Sequence, residues 1–296
     1  MKLTKVSMRS FFKLLKITFK NWNANEPFQM SAAVSYYALF SFPALLIIII
    51  QTAGMVYEKS EIKGKIINEI SIVLGKDVGK TVEVMLTNAI DQDQSALIIT
   101  IGVITLLYGA TGMFISLQKS LNVIWKVKPK PKNEILKMLK DRVFSLGLIL
   151  MIGLLLLISL ILTALITAMT DWIGNRFPEI FVYLIQLINL VISLLLTTIL
   201  FAMIYKVLPD VKMRWKDIWL GALMTTVLFM IGKTALGIYF GMFDPGSAFG
   251  AAGSIILILL WVSYSSLILF FGAEFTRVIS QKYGGGVEPA SYAEIL

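Results

Sequence analysis

The chain is predicted to be all-α: a polytopic membrane protein of six transmembrane helices with an external amphipathic helical cap. Three observations predict it. Of 296 residues, 57% are hydrophobic and 15% charged, with a mean hydropathy of +0.80, whereas a soluble chain carries about a quarter charged residues. Six windows stay apolar over the roughly 20 residues needed to cross about 30 Å of hydrocarbon at about 1.5 Å per residue. The 27 basic residues are shared very unevenly among the segments between those windows.

Residues 1–30 read as a basic amphipathic segment on the cytoplasmic side. Phe11, Phe12, Leu15, Phe19 and Trp22 stand at helical spacing, with Lys13, Lys16 and Lys20 on other faces. A helix of that kind lies in the inner interface against anionic lipid headgroups, or docks on the protein's own cytoplasmic surface. The transmembrane domain follows over 31–280, with spans at 31–56, 96–116, 143–169, 180–205, 218–241 and 250–273. The basic stretch ahead of the first apolar run, and the length of that run, do not fit a cleavable signal peptide.

Between the first two spans, 57–95 carries Ile62, Ile66, Ile67, Ile70, Val73 and Leu74, then Val78, Val82, Met85 and Leu86. Each set has roughly helical spacing, so two amphipathic helices are expected, forming an external cap or a lid over apolar span ends. Gly284, Gly285 and Gly286 fall in a cytoplasmic tail, 281–296, expected to be flexible. When alternate connecting segments are taken together, twenty Lys and Arg fall on the side holding both termini and six on the other. The positive-inside rule therefore places both termini in the cytoplasm.

Polar groups inside the spans mark the candidate site, because hydrocarbon penalises them. Lys233 lies about 12 Å below the outer surface. It costs about 2.5–3.5 kcal/mol there unless paired or hydrated, and its stem allows it to snorkel outward. Its depth predicts that it turns into the bundle or a lateral groove. Gln186, Asn189 and Thr105 reach a comparable level and form a polar pocket with it, or make ordinary interhelical hydrogen bonds. Glu274 ends span six at the inner boundary, on the order of 20 Å from Lys233 along the membrane normal. Tyr36, Tyr37 and Tyr264 make a second level, about 7–10 Å from the cytoplasmic edge, or belong to an interfacial belt. A substrate pathway joining the two levels, with Glu274 also among its residues, is expected. Pro43 frees a backbone carbonyl and kinks span one. The small residues Gly237, Gly241, Gly250 and Ser254 predict close helix approach.

The chain has no Cys and no His, which removes thiolate chemistry, the commonest general base and the commonest transition-metal ligand. No phosphate-binding P-loop, dinucleotide fingerprint or Gly-x-Ser-x-Gly elbow is present. No catalytic residue, metal or cofactor is expected. The basic run Lys126, Lys128, Lys130, Lys132, Lys137, Lys140 and Arg142 is explained by topology, so no nucleic-acid partner is expected.

The run Ala32-Ala33-x-Ser35-Tyr36-Tyr37-Ala38-Leu39-Phe40-Ser41-x-Pro43 resembles the first-span signature of the YihY/BrkB family of integral membrane proteins. Further matches are Gly109-Ala110-Thr111-Gly112 with Leu117-Gln118 and Asn122-x-x-Trp125, then Tyr205 with Leu208-Pro209-Asp210. The stretches Phe249-Gly250-Ala251-Ala252-Gly253, Leu260-Trp261, Tyr264-Ser265 and Gly272-Ala273-Glu274-Phe275 resemble the family's last span. The resemblance covers roughly residues 30–280 and leaves the basic N-terminal extension and the glycine tail outside. It implies six spans in the bacterial cytoplasmic membrane and a family without a settled activity, and the residues themselves give no expectation of an enzyme. Transport is the family's working assignment, including transport of lipid-linked envelope precursors. A ribonuclease label once attached to the family finds no support in these residues. The expected function is therefore that of a transporter or flippase for an anionic or lipid-linked envelope component. The alternative is a non-transporting scaffold for envelope assembly. Expected partners are membrane lipids with anionic headgroups, a second copy of the chain, or an envelope-assembly protein.

Overall fold

In hydrocarbon, every backbone polar group must be satisfied within its own segment or a closed barrel, so long apolar runs become helices. The computed structural model describes residues 8–53, 58–74, 79–80, 82–84, 86–87, 96–130, 179–243 and 253–296, and these are mostly helical. In chain order they form α1 (Met8–Ala24), α2 (Pro27–Ala53), α3 (Lys59–Leu74), α4 (Ala96–Ile124), β1 (Val127–Pro129), α5 (Glu179–Val207), β2 (Val211–Lys212), α6 (Trp215–Phe243), α7 (Gly253–Tyr283), β3 (Glu288–Pro289) and β4 (Ala293–Ile295). Among the described residues, Tyr183–Val207, Trp215–Phe240 and Ile255–Tyr283 are long and apolar enough to cross a membrane. They coincide with the last three expected spans. The first two expected spans fall on α2 and α4, of 27 and 29 residues. The third, 143–169, lies outside the described residues.

The chain divides into two compact units. The first comprises Met1–Ile17, Trp125–Val227 and Gly272–Leu296. In it, Leu14 of α1 is buried against Phe275, Val278 and Ile279 of α7. Helices α6 and α7 interlock reciprocally at glycine–threonine steps. A Cβ built on Gly221 would lie 1.7 Å from Thr276 Oγ1, and one on Gly272 would lie 1.8 Å from Thr225 Oγ1. Each threonine hydroxyl donates to the carbonyl of the glycine one turn earlier in its own helix, at 2.8 Å (Thr225 to Gly221) and 2.7 Å (Thr276 to Gly272). The polar groups are thus satisfied within the helix that carries them, while the missing side chains let the backbones approach.

The tail differs from its expectation. Two short antiparallel ladders hold it. One pairs Val127, Lys128 and Pro129 with Ile295, Glu294 and Ala293; the other pairs Val211 and Lys212 with Pro289 and Glu288. The glycines form a turn rather than a loose linker. Gly284 N and Gly286 N both donate to Ser280 O, at 2.9 and 3.1 Å, and Gly286 takes φ 78°. This caps the last carbonyls of α7 with a left-handed glycine. A second left-handed residue, Lys126 at φ 58°, turns the chain from α4 into β1.

The second unit comprises Thr18–Ile124 and Leu228–Phe271. Helix α2 packs against α4 and α3. A Cβ on Gly109 would sit 2.9 Å from Ser41 N, so α4 approaches the α2 backbone there. The amphipathic pattern of 57–95 has its counterpart in α3 and in helical residues 82–84, 86 and 87. Val82 and Leu86 are buried with Phe240, Leu257 and Ile258, and Ile66, Ile67 and Ile70 pack against that cluster. Burying those aliphatic faces removes apolar surface from water at roughly 25 cal/mol per Å².

Candidate functional site

Helix α6 carries the one basic residue that the sequence places inside a span. Helical periodicity of about 100° per residue sets Lys233 between an exposed row, Leu223, Val227, Ile231 and Ile238, and the side that buries Gly232 and Phe240. The Lys233 side chain is exposed, and no hydrogen bond or ion pair joins it to another described residue. One turn on, nothing among the described residues lies within 4 Å of a Cβ built on Gly237. The small-residue spacing predicted close helix approach at Gly237, and none of the described residues makes that approach there. Close approach occurs instead at Gly109, Gly112, Gly221, Gly232 and Gly272.

Gly232, immediately before Lys233, receives a phenol from the facing helix. A Cβ there would meet Tyr264 Oη at 1.1 Å. Sequence depth separated Tyr264 from Lys233 by most of a leaflet, but a tyrosine side chain reaches several ångströms along its helix, and its hydroxyl ends at the residue preceding the lysine. Next to Tyr264, Ser263 shares a 3.1 Å hydrogen bond with Ser31 of α2. Ser35 Oγ donates to Ser31 O at 2.8 Å. Ser31 and Ser35 are buried, and the Ser31–Ser263 bond ties α2 to α7.

Tyr36 and Tyr37 join a larger aromatic group. Their rings meet edge-on at 5.4 Å, Tyr36 meets Phe40 at 5.1 Å, and Tyr37 meets Tyr108 of α4 at 6.2 Å. Tyr37 lies across Gly112, where a Cβ would be 2.3 Å from its ring. Tyr36 and Tyr108 remain more than half exposed. The sequence reading missed Tyr108, whose signal was its position one residue before the Gly109-Ala110-Thr111-Gly112 run that α2 covers. Asn189 is half-buried on α5, among the exposed Leu187, Ile188, Leu190 and Val191. It and Glu274 belong to the first unit. Gln186, Thr105, Pro43, Gly241 and Ser254 lie on helices, but their side chains fall outside the described residues, as does Gly250 altogether. The backbone of α2 is helical through position 43.

Glu274 has its own partner. Arg277 donates to both its oxygens, Nε to Oε2 at 3.1 Å and Nη2 to Oε1 at 2.5 Å, with the carboxylate fully buried. Around this pair the first unit is densely hydrogen-bonded. Trp125 Nε1 donates to Ala273 O at 3.0 Å, and Tyr205 Oη and Thr225 Oγ1 share a 2.8 Å bond. Asp217 Oδ2 accepts from Arg214 Nε at 3.2 Å, Ser280 Oγ at 3.2 Å and Gly285 N at 3.4 Å. The Asp217 contacts hold the start of α6 to the end of α7 and the glycine turn that follows it. Among the described residues no group of three or more acids is placed to hold a metal ion.

The chain is 25% identical over 283 residues to a UPF0761 membrane protein of Mannheimia succiniciproducens, covering 94% of this chain and 93% of that relative. It is 27% identical over 191 residues to a UPF0761 membrane protein of Tolumonas auensis, covering 62% of this chain and 58% of the relative. Against the Alteromonas mediterranea UPF0761 protein it is 28% identical over 184 residues, covering 62% and 60%. No solved structure matches the chain. The profile of the family described as Virulence factor BrkB matches residues 18–294, taking in the glycine turn and the strand-paired tail as well as every helix that carries the site. Helices built to cross a bilayer and a match along nearly its whole length make this chain a membrane protein of the BrkB family.

Proposed function

We propose that the protein carries an anionic or lipid-linked envelope component across the bacterial cytoplasmic membrane, as a transporter or flippase. In this reading it has six spans, both termini are cytoplasmic, and the 57–95 segment is an external cap. The carrying observation is Lys233, an exposed ammonium on an apolar helix of membrane-crossing length, one turn before Gly237, where no described residue lies within 4 Å of a built Cβ. An isolated cation at such a position costs about 2.5–3.5 kcal/mol, and an acidic headgroup arriving from the bilayer offsets that cost. The exposed phenols of Tyr36 and Tyr108 offer hydroxyls and ring faces to a polar headgroup in the same unit. The sequence contains no nucleotide-binding P-loop, so the drive is assigned to an ion gradient or a partner protein.

The close interlock of α6 and α7 at Gly221/Thr276 and Gly272/Thr225 favours a second reading. A helix pair packed that tightly suits a rigid scaffold for envelope-assembly proteins. Proteoliposomes separate the two. The protein is reconstituted with a fluorescent phosphatidylglycerol, and bleaching by an impermeant reductant reports its movement between leaflets. Transport requires rapid movement with the wild-type chain, loss of movement in Lys233→Met with folding retained, and slowing in Gly237→Leu. Wild-type rates in Lys233→Met would reduce the lysine to a snorkelling side chain. A wild-type protein that moves no anionic lipid would put the scaffold ahead.

A further inference from the structure

Helix α1 divides into three sectors at about 100° per residue. Leu14 and Thr18 are buried on the first, where Leu14 packs against α7 and the Phe11 ring meets Phe275 edge-on at 6.2 Å. Phe12 and Phe19 form the second, 64% and 58% exposed. Lys13, Lys16 and Lys20 form the third, all exposed. Met8–Ala24 contains no acidic residue. The helix does not run on into α2, because Glu26 at φ 52° and Pro27 at the first position of α2 separate the two. Docking therefore accounts for one sector and leaves an aromatic ridge beside a basic stripe.

We propose that α1 is an interfacial lipid-binding helix. Phe12 and Phe19 enter the acyl edge of the adjacent leaflet, and Lys13, Lys16 and Lys20 bind the phosphates of acidic phospholipid. Two features choose this occupant. The stripe is uniformly positive, so it is complementary to an anionic surface. Its apolar neighbour is a separate sector of the same helix, the division of faces that a headgroup–acyl boundary requires. The bilayer is already adjacent, because the chain spans one. The inference is independent of transport and of Lys233.

The chain lacks cysteine, so Phe12→Cys, Phe19→Cys and Lys16→Cys each give a unique spin-label position in the full-length protein. Labelled proteins are placed in phosphatidylcholine vesicles with and without phosphatidylglycerol, and the melting temperature of each is measured alongside. Labels at 12 and 19 are expected to be relaxed more by oxygen than by a water-soluble nickel chelate, and the label at 16 the reverse. Phosphatidylglycerol should move the labels at 12 and 19 deeper. Replacing Lys13, Lys16 and Lys20 by Gln should abolish that shift, each lysine contributing about fivefold to partition. Water-exposed labels at 12 and 19 in every vesicle would overturn the proposal and leave the ridge to a protein partner. Deep labels indifferent to phosphatidylglycerol and to the lysines would overturn the headgroup role.

Discussion

Two buried polar residues give opposite predictions. Thr18 is completely buried, and its hydroxyl has no hydrogen-bond partner among the described residues. Replacing an unsatisfied buried hydroxyl by a methyl removes a desolvation cost of about 1–3 kcal/mol. Thr18→Val should therefore raise the melting temperature in detergent, and a fall would show that the hydroxyl holds a buried water. Glu274 is the converse, since its charge is matched at both oxygens by Arg277. Glu274→Leu leaves a guanidinium buried without its partner and should cost about 3–5 kcal/mol. The double variant Glu274→Leu/Arg277→Met should recover most of that, a cycle that chemical denaturation measures directly. The sequence reading did not pair Glu274 with Arg277, although their i,i+3 spacing puts them on one face of a helix. The grouping of Tyr37 with Tyr108 was not legible in the sequence, because ring contacts between α2 and α4 depend on which faces the helices present.

Among the elements, helices were legible because a membrane demands long apolar runs and the chain supplies them. The β-ladders were not. Two or three paired residues that include Lys and Pro carry no alternation long enough to read as strands, and a glycine triplet reads as slack even where it makes a cap. Small residues at four-residue spacing do not say which neighbour they meet: Gly221 packs closely on Thr276, and at Gly237 no described residue comes within 4 Å of a built Cβ. That contrast is testable. Gly221→Ala must displace Thr276, whose Cβ would lie at 2.7 Å and Cα at 3.2 Å from the new atom, and should cost about 1–3 kcal/mol. Gly237→Ala meets nothing described and should gain about 0.5–1 kcal/mol from helix propensity. Thermal unfolding of the two variants side by side decides it; equal losses would show that Gly237 is packed as closely as Gly221.

At the scale of the whole molecule, the tail draws together segments far apart in sequence. Its exposed ion pair sets a pH dependence. A hydrogen bond to Glu294, and then that carboxylate's charge, raise the Lys130 pKa above the ordinary 10.5. The fold therefore favours the charged lysine. Its contribution to tail pairing is fully present below the ordinary value and is lost as pH rises through the raised one. The pair is solvated, so the effect is small and screened by salt. A spin label at Ser291→Cys should gain mobility only as the pH passes above about 10.5, and Lys130→Gln should remove the step. The same ladders also bear on the order of events during synthesis. Strand β1 leaves the ribosome about 160 residues before β4, a wait of about 10–30 s at about 5–20 residues per second. Strand β2 waits for β3 in the same way. Throughout that interval the intervening helices can enter the membrane while two unpaired strand edges stand open to chaperones. Each edge closes only once its partner strand, β4 for β1 and β3 for β2, has been made.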